Sequence, residues 1–195
     1  MSIATDQHYI ERTLNGETRA FGFLVDRYQD FVFTIIYRMV KVRQEAEEVA
    51  QDTFLKAFQS LDSYRGEAKF SSWLYSIAYR KALDSLRKNK KYQATELIEG
   101  ITEGDSDLSE NALEKMEKLE RSKMIGKCIL KLPEQEAAIV TLYYFEERSV
   151  KEIAAITNLS VDNIKIKLYR SRKKMFSLLK HAILPEISNN NGRAI

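Results

Sequence analysis

The first apolar run of the chain, Phe21, Leu24, Val25, Tyr28, Val32, Ile35, Ile36 and Met39, recurs at three- and four-residue intervals. That spacing lays the side chains on one stripe of a helix from about Glu17 to Val40. A second helix is predicted from about Glu45 to Leu61, with Ala50, Phe54, Ala57, Phe58 and Leu61 inward and Glu45, Glu48, Gln51 and Asp52 on a more exposed face. Gly66, in the polar run from Asp62 to Lys69, marks a loop. Ser71 or Ser72 can then cap a third helix that turns Leu74, Ile77, Ala78 and Leu86 inward. Periodicity lapses between Gln93 and Asn111, where Glu, Asp, Ser, Thr and Gly gather, so a flexible tether is expected there. The helical pattern resumes near Ala112 and runs through Met116, Leu119, Ile125 and Ile129 to Leu132. Pro133 opens the next helix at a position where its missing N–H costs nothing, and Ala138, Ile139, Leu142 and Tyr143 form its buried face. Val150 to Thr157, a turn at Asn158 to Ser160, and Val161 to about Leu179 complete the pattern. The expected fold is all-α: two small helical domains, about 1–92 and 113–182, joined by a linker over 93–112 and followed by a tail over 183–195.

Composition agrees with that pattern. Two prolines and seven glycines in 195 residues leave few helix breakers, and 44% hydrophobic residues can fill a core. The net charge of +3 averages over very uneven segments. Between Ala94 and Glu120 the acids Glu96, Glu99, Glu103, Asp105, Asp107, Glu110, Glu114, Glu117 and Glu120 face only Lys115 and Lys118. The flanking segments are basic, which suggests two anion-binding modules joined by an acidic tether. Cys128 is the single cysteine, so there is neither an intramolecular disulfide nor a cysteine-rich zinc site. With no apolar run of about 18 residues, a cytoplasmic location is expected and membrane insertion is not.

Catalysis is not expected either. His8 and His181 are the only neutral-pH bases, neither stands beside a recognisable nucleophile, and no glycine-rich phosphate loop occurs. Asp105 and Asp107 hint at a calcium loop, but the sixth-position glycine is missing and Met116 stands where the bidentate glutamate belongs. No metal or other cofactor is implied.

Two stretches carry candidate chemistry. From Asp62 to Lys91, Tyr64, Phe70, Trp73, Tyr75 and Tyr79 offer flat faces among Arg65, Arg80, Lys81, Arg87, Lys88, Lys90 and Lys91. Such interleaving suits stacked bases beside a phosphate track, although an amphipathic helix with an aromatic core face has the same pattern. Near the other end, two helices joined by a short turn form a helix-turn-helix, whose second helix enters a major groove. There Ile164, Leu168, Ser171, Met175 and Leu178 make the packed face, and Lys165, Ile166, Tyr169, Arg170, Arg172 and Lys173 occupy the remaining arc.

Four blocks in order make the chain recognisable: Glu47-Glu48-Val49-Ala50-Gln51-Asp52-Thr53-Phe54, then LDSYRGEAKFSSWLYSIA, then LPEQE, and finally KEIAAITNLSVDNIKIKLYRSRKKM. They resemble the extracytoplasmic-function (ECF) group of bacterial RNA polymerase sigma factors, from about Asn15 to Leu179. The resemblance implies a first domain that binds the polymerase clamp and melts the minus-ten element, and a second that reads the minus-thirty-five element as duplex. It places Glu48, Gln51, Asp52 and Phe54 against the clamp helices of the largest polymerase subunit. It places Tyr64, Arg65, Gly66, Phe70, Ser71 and Trp73 in or beside a loop that accepts a flipped base, with Arg80 and Arg87 on the adjacent helix. Ser160, Asn163, Lys165, Ile166, Tyr169, Arg170, Arg172 and Lys173 match the minus-thirty-five region. The flap of the second polymerase subunit and an anti-sigma factor are the other partners it implies.

The family usually has aspartate at Glu48, glycine at Asn158 and a small residue at Asp162. Asparagine tolerates a left-handed backbone, so the turn is expected to survive. The two promoter elements lie roughly two helical turns, about 70 Å, apart. Domains of about 80 residues have radii near 12–15 Å, so the tether must reach about 40 Å, within its extended limit of about 70 Å. An autonomous helix-turn-helix regulator is the rival reading, but it leaves the Glu48 to Phe54 edge and the aromatic loop without a task.

Overall fold

The computed structural model describes residues 5–92 and 112–190, with side chains over 5–89 and 120–180. The tether expected over 93–112 lies outside the described residues but for its last residue, Ala112, whereas α8 continues past the expected end near Leu179 to Asn190, so 183–190 are helical where a tail was expected and only 191–195 lie outside. Among these, the regular elements are all helical: α1 (Asp6–Leu14), α2 (Ala20–Val40), α3 (Arg43–Gln59), a 3-10 turn (Leu61–Ser63), α4 (Phe70–Tyr92), α5 (Ala112–Leu130), α6 (Glu134–Tyr144), α7 (Val150–Thr157) and α8 (Val161–Asn190).

Helix α1 was not legible in the sequence, because only Ile10 and Thr13 of its residues are buried and so few positions leave no periodic signal. It is tied to α2 by polar groups instead: Asp6 pairs with Arg27 and accepts a hydrogen bond from Tyr28 Oη at 2.6 Å. Helix α2 buries Phe21, Leu24, Val32, Ile35, Ile36 and Met39, as the stripe predicted. It stops at Lys41, whose φ of 67° is left-handed and whose amide N–H bonds the Tyr37 carbonyl.

Helix α3 is rotated from its predicted facing. Ala46, Val49, Thr53 and Ala57 are buried, whereas Ala50 and Phe54 are half-buried and Phe58 is exposed. Small side chains on the inner face let α3 lie close to α2 and α4, and large aromatics do not fit there. The start of α4 also needs correction. Ser71 and Ser72 are not caps but lie within the first turn, and the Lys69 carbonyl accepts the Ser72 and Trp73 amides at 2.9 and 3.2 Å. Seating the Phe70 ring in the core, 2% exposed, moves the helix start ahead of both serines.

In the second half Pro133 is the N-cap of α6, with φ −56° and ψ 151°. All six residues from Ala137 to Leu142 are buried, so α6 is covered on both faces. Helices α7 and α8 of its own domain cover one face and α2 covers the other. Full burial of Ile139 or Leu142 is worth about 1.5–3 kcal/mol each. Helix α7 begins with a capping box, in which the Ser149 hydroxyl accepts from the Glu152 amide and the Glu152 carboxylate accepts from the Ser149 amide. Asn158 ends α7 at φ 56° and ψ 37°, the left-handed conformation expected of it.

The two halves are docked, α2 on α6 and α4 on α7, and their buried apolar residues form one continuous cluster.

Candidate nucleic-acid interface

On α3, Glu48, Gln51 and Asp52 are exposed and Phe54 is half-buried. Gln51 and Phe54 line a cleft of about 550 Å³ between α2 and α3, with Arg43 and Glu47 beside them on α3 and Phe33 on the α2 wall. Glu48, Gln51 and Asp52 also form one wall of a wider groove, of about 780 Å³, whose opposite wall on α4 carries Lys81, Arg87 and Lys88. Lys81 Nζ donates to Asp52 Oδ2 at 3.3 Å across this groove, and the Asp52 side chain remains 65% exposed. The acidic edge and Arg87, placed in separate sites by the sequence, thus share one groove.

The loop between α3 and α4 is held by three rings. Tyr64 meets Phe70 edge-on at 5.6 Å and Trp73 at 5.5 Å, and Phe70 lies 5.5 Å from Trp73. Tyr64 Oη donates to the Ala68 carbonyl at 2.7 Å, closing the loop on itself. Burial raises the Tyr64 phenol above its ordinary range, with the Asp6 charge adding to it. Gly66 turns the chain at φ 73°, where any side chain would be strained although space is open around it. Arg65 is exposed.

Beside this cluster a cavity of about 390 Å³ is lined by Lys56, Ser60, Ser63, Trp73, Ile77, Arg80, Lys81 and Asp84. Trp73 and Arg80 were predicted from sequence; Lys56, Ser60 and Ser63 were not. Lys56 and Ser60 stand one helical turn apart at the end of α3, and that i,i+4 pair facing the loop is the signal that could have found them. Arg80 is braced over its own helix by bonds to the Ser76 carbonyl and hydroxyl at 3.0 and 3.1 Å, and Arg87 pairs with Asp84 at 3.1 Å.

Four other aromatic and loop residues are withdrawn from the surface. Phe70 and Ser71 are buried, at 2% and 5% exposure, and Tyr75 and Tyr79 are buried beneath the second half of the chain. Tyr75 and Tyr79 are therefore not the flat faces expected from the sequence. Burial raises both phenols, Tyr79 to about 12.

On α8, Ile164, Leu168 and Ser171 are buried as predicted, and Met175 and Leu178 are half-buried. Lys165, Ile166, Tyr169, Arg170, Arg172 and Lys173 are exposed on the opposite arc. Ser160 Oγ accepts from the Asn163 amide at 3.3 Å and so starts the helix. Lys165 pairs with Asp162 at 3.5 Å, so one cation of the exposed arc is partly neutralised by its own helix. Among the described residues there is no cluster of groups that could hold a metal ion, and no helix is long and apolar enough to cross a membrane.

The arrangement is a basic cavity walled by Trp73 in the first half of the chain and a helix-turn-helix whose second helix exposes a basic arc in the second half. Comparison with known families matches it region by region: residues 24–92 fit Sigma-70 region 2 and residues 122–175 fit Sigma-70, region 4. The ECF RNA polymerase sigma factor SigW of Bacillus subtilis is 34% identical over 177 residues, covering 88% of this chain and 95% of that protein. This chain belongs to the ECF group of RNA polymerase sigma factors. The RNA polymerase sigma-H factor of Pseudomonas aeruginosa is 32% identical over 90% of the chain, and the ECF sigma-E factor of Haemophilus influenzae is 34% identical over 87%. Two solved structures share the fold. CnrH in complex with the cytosolic domain of CnrY superposes with a TM-score of 0.61 at 23% identity over 90% of the chain and 97% of CnrH. The sigma factor RpoE with the anti-sigma factor NepR, from Bartonella quintana, gives 0.67 at 20% identity over 82% of the chain and 96% of RpoE. The ECF sigma factor described here directs promoter recognition, DNA melting and transcription initiation, and its two regions coincide with the two docked halves of the fold.

Proposed function

We propose that the cavity lined by Lys56, Ser60, Ser63, Trp73 and Arg80 is where this sigma factor captures an unpaired base of the minus-ten element. The cavity itself carries the reading: at about 390 Å³ it admits one base, with an aromatic wall for stacking and cations for the adjoining phosphates. Tyr64, Gly66 and Phe70 shape the loop beside it, and Arg65 and Arg87 extend the cationic approach. Capture returns roughly 1–3 kcal/mol per stacked base, less than the several kcal/mol needed to unpair a few base pairs. The polymerase supplies the remainder, which gives the edge of exposed Glu48, Gln51 and Asp52 with half-buried Phe54 its task, docking on the clamp. The second domain engages the flap and places Lys165, Ile166, Tyr169, Arg170, Arg172 and Lys173 in the upstream major groove, with Ser160 and Asn163 at the helix start.

The protein acts in the cytoplasm and has no catalysis of its own. An anti-sigma factor is a further partner, on the ground that a sigma factor of the same fold is held by one in its solved complex. The test is binding of a single-stranded minus-ten oligonucleotide by the complex with core polymerase. Lys56→Ala and Arg80→Ala should each weaken it at least about tenfold, the effect of losing about 1.4 kcal/mol of charge-assisted contact. Unchanged binding in both variants contradicts the assignment of the cavity.

A further inference from the structure

The two halves meet through a polar clasp centred on Arg148, in the turn between α6 and α7. Its Nη2 donates to Ser71 Oγ on α4 at 3.0 Å, and its guanidinium carbon lies 5.6 Å from the centre of the Tyr75 ring. The neighbouring Glu146 accepts from Tyr75 Oη at 3.0 Å and from Arg148 Nη2 at 3.2 Å, and Glu152 closes the cluster 3.6 Å from Arg148 Nη1. The turn is built to hold these groups: the Arg148 amide bonds the Leu142 carbonyl at 3.0 Å, and Glu147 between the two charged residues is left-handed at φ 50°. A smaller clasp lies on α2. Arg38 donates to Thr141 Oγ1 at 3.0 Å and packs 4.3 Å from the Phe145 ring, and Lys41 Nζ donates to the Leu132 carbonyl at 3.1 Å.

We infer that Arg148 is a latch that holds this sigma factor in a closed state unable to engage its promoter, with Ser71 of the base loop engaged by the second domain. Two observations indicate that the contact is made to open. First, it is incompletely satisfied: Arg148 is only 11% exposed, yet its Nε makes no hydrogen bond among the described residues, and neither does the buried Tyr79 hydroxyl near Glu136 of α6. Water would satisfy both on opening. Charged residues at an interface within one chain fix its geometry while adding little net stability, so the clasp sets how the halves dock more than how tightly they hold. Second, the closed state is selective in what it covers. It buries Ser71, Tyr75 and the outer face of α6 but leaves Glu48, Gln51 and Asp52 exposed, so polymerase can dock on α3 before the halves part. Docked halves have centres about 25 Å apart and cannot span promoter elements about 70 Å apart, so parting is obligatory for function.

The latch stands on contacts within the chain, and only its consequence for DNA rests on the proposed base loop. Two measurements on the full chain keep them apart. Small-angle scattering should give the wild type a radius of gyration near 16–18 Å, the value for a compact chain of this length, and Arg148→Ala a radius of about 22–28 Å, that of two domains on a relaxed tether. Tyr75→Phe, which removes only the hydroxyl bonded to Glu146, should expand the chain less. Circular dichroism of each variant should retain the wild-type helical signal. Compact scattering from both variants overturns the latch. Binding of a single-stranded minus-ten oligonucleotide without polymerase should rise at least about fivefold in Arg148→Ala. Expansion without that rise leaves the latch standing and overturns the masking of the base loop.

Discussion

Replacing Tyr64 separates two roles that an aromatic residue in this loop could have. The structure makes it a brace: its ring contacts Phe70 and Trp73, and its hydroxyl closes the loop on the Ala68 carbonyl. Tyr64→Phe removes only the hydrogen bond, which at this half-exposed position is worth about 0.5–1 kcal/mol. Tyr64→Ala also removes two aromatic contacts of about 0.5–1.5 kcal/mol each, for a total of about 2–4 kcal/mol. For a domain of this size each kcal/mol is about 4–8 °C in Tm, so the first variant should lose a few degrees and the second about 10 °C or more. Thermal unfolding followed by circular dichroism measures this, and promoter opening by the reconstituted polymerase is measured beside it. If Tyr64 is a brace, the loss of opening tracks the loss of stability in both variants. A Tyr64→Ala chain that melts within about 2 °C of wild type but fails to open promoters would refute the argument and make Tyr64 a stacking face.

Other variants probe other parts. Ser149→Ala should cost about 1 kcal/mol by removing the capping box of α7, seen as a lower urea midpoint. The bonds from Ser149 hold the Glu152 carboxyl below its ordinary 4.5, so their stabilisation is complete above that pH and is lost as pH falls below it. Wild type should therefore lose more stability on acidification than Ser149→Ala. At high pH the sign reverses: the Tyr79 phenol is raised from 10 to about 12 by burial, so its contribution is intact below pH 10 and disappears as pH rises through about 12. Tyr79→Phe, which loses no hydrogen bond, should be near neutral at pH 7 and more resistant to alkaline unfolding than wild type. Asp162→Ala frees Lys165 and removes a carboxylate from beside the basic arc of α8, so duplex affinity should rise a few-fold, most at low salt. Arg170→Ala should weaken duplex binding; a loss uniform across sequences makes it a phosphate contact, and a loss confined to one base position makes it a base reader.

The helix-turn-helix was the most legible part of the sequence, because every local signal agreed: Asn158 at the left-handed position, Ser160 as cap and a packed face at Ile164, Leu168 and Ser171. Helix α3 was found but its facing was misread, since pattern reading weights Phe54 and Phe58 over Ala46 and Thr53. Close packing selects the smaller pair. The cavity beside Trp73 was half legible. Trp73 and Arg80 lie in the aromatic-basic stretch, but Lys56 and Ser60 come from the preceding helix and meet them only when the chain reverses at the loop. The clasp was not legible at all. Arg148 lies in a polar turn and Tyr75 on an amphipathic helix, and nothing local to either reports the partner 73 residues away. Such contacts are set by docking of preformed units, whose polar complementarity leaves no period in the sequence.

The most direct test of the whole account is selection of opened duplexes from a random pool by core polymerase, with and without this chain. Core plus the chain should enrich two conserved blocks about two helical turns apart, with the downstream block unpaired, and core alone should enrich neither. Enrichment of one palindromic site by the chain without polymerase, unaltered when core is added, would contradict it and make the protein an autonomous DNA-binding regulator.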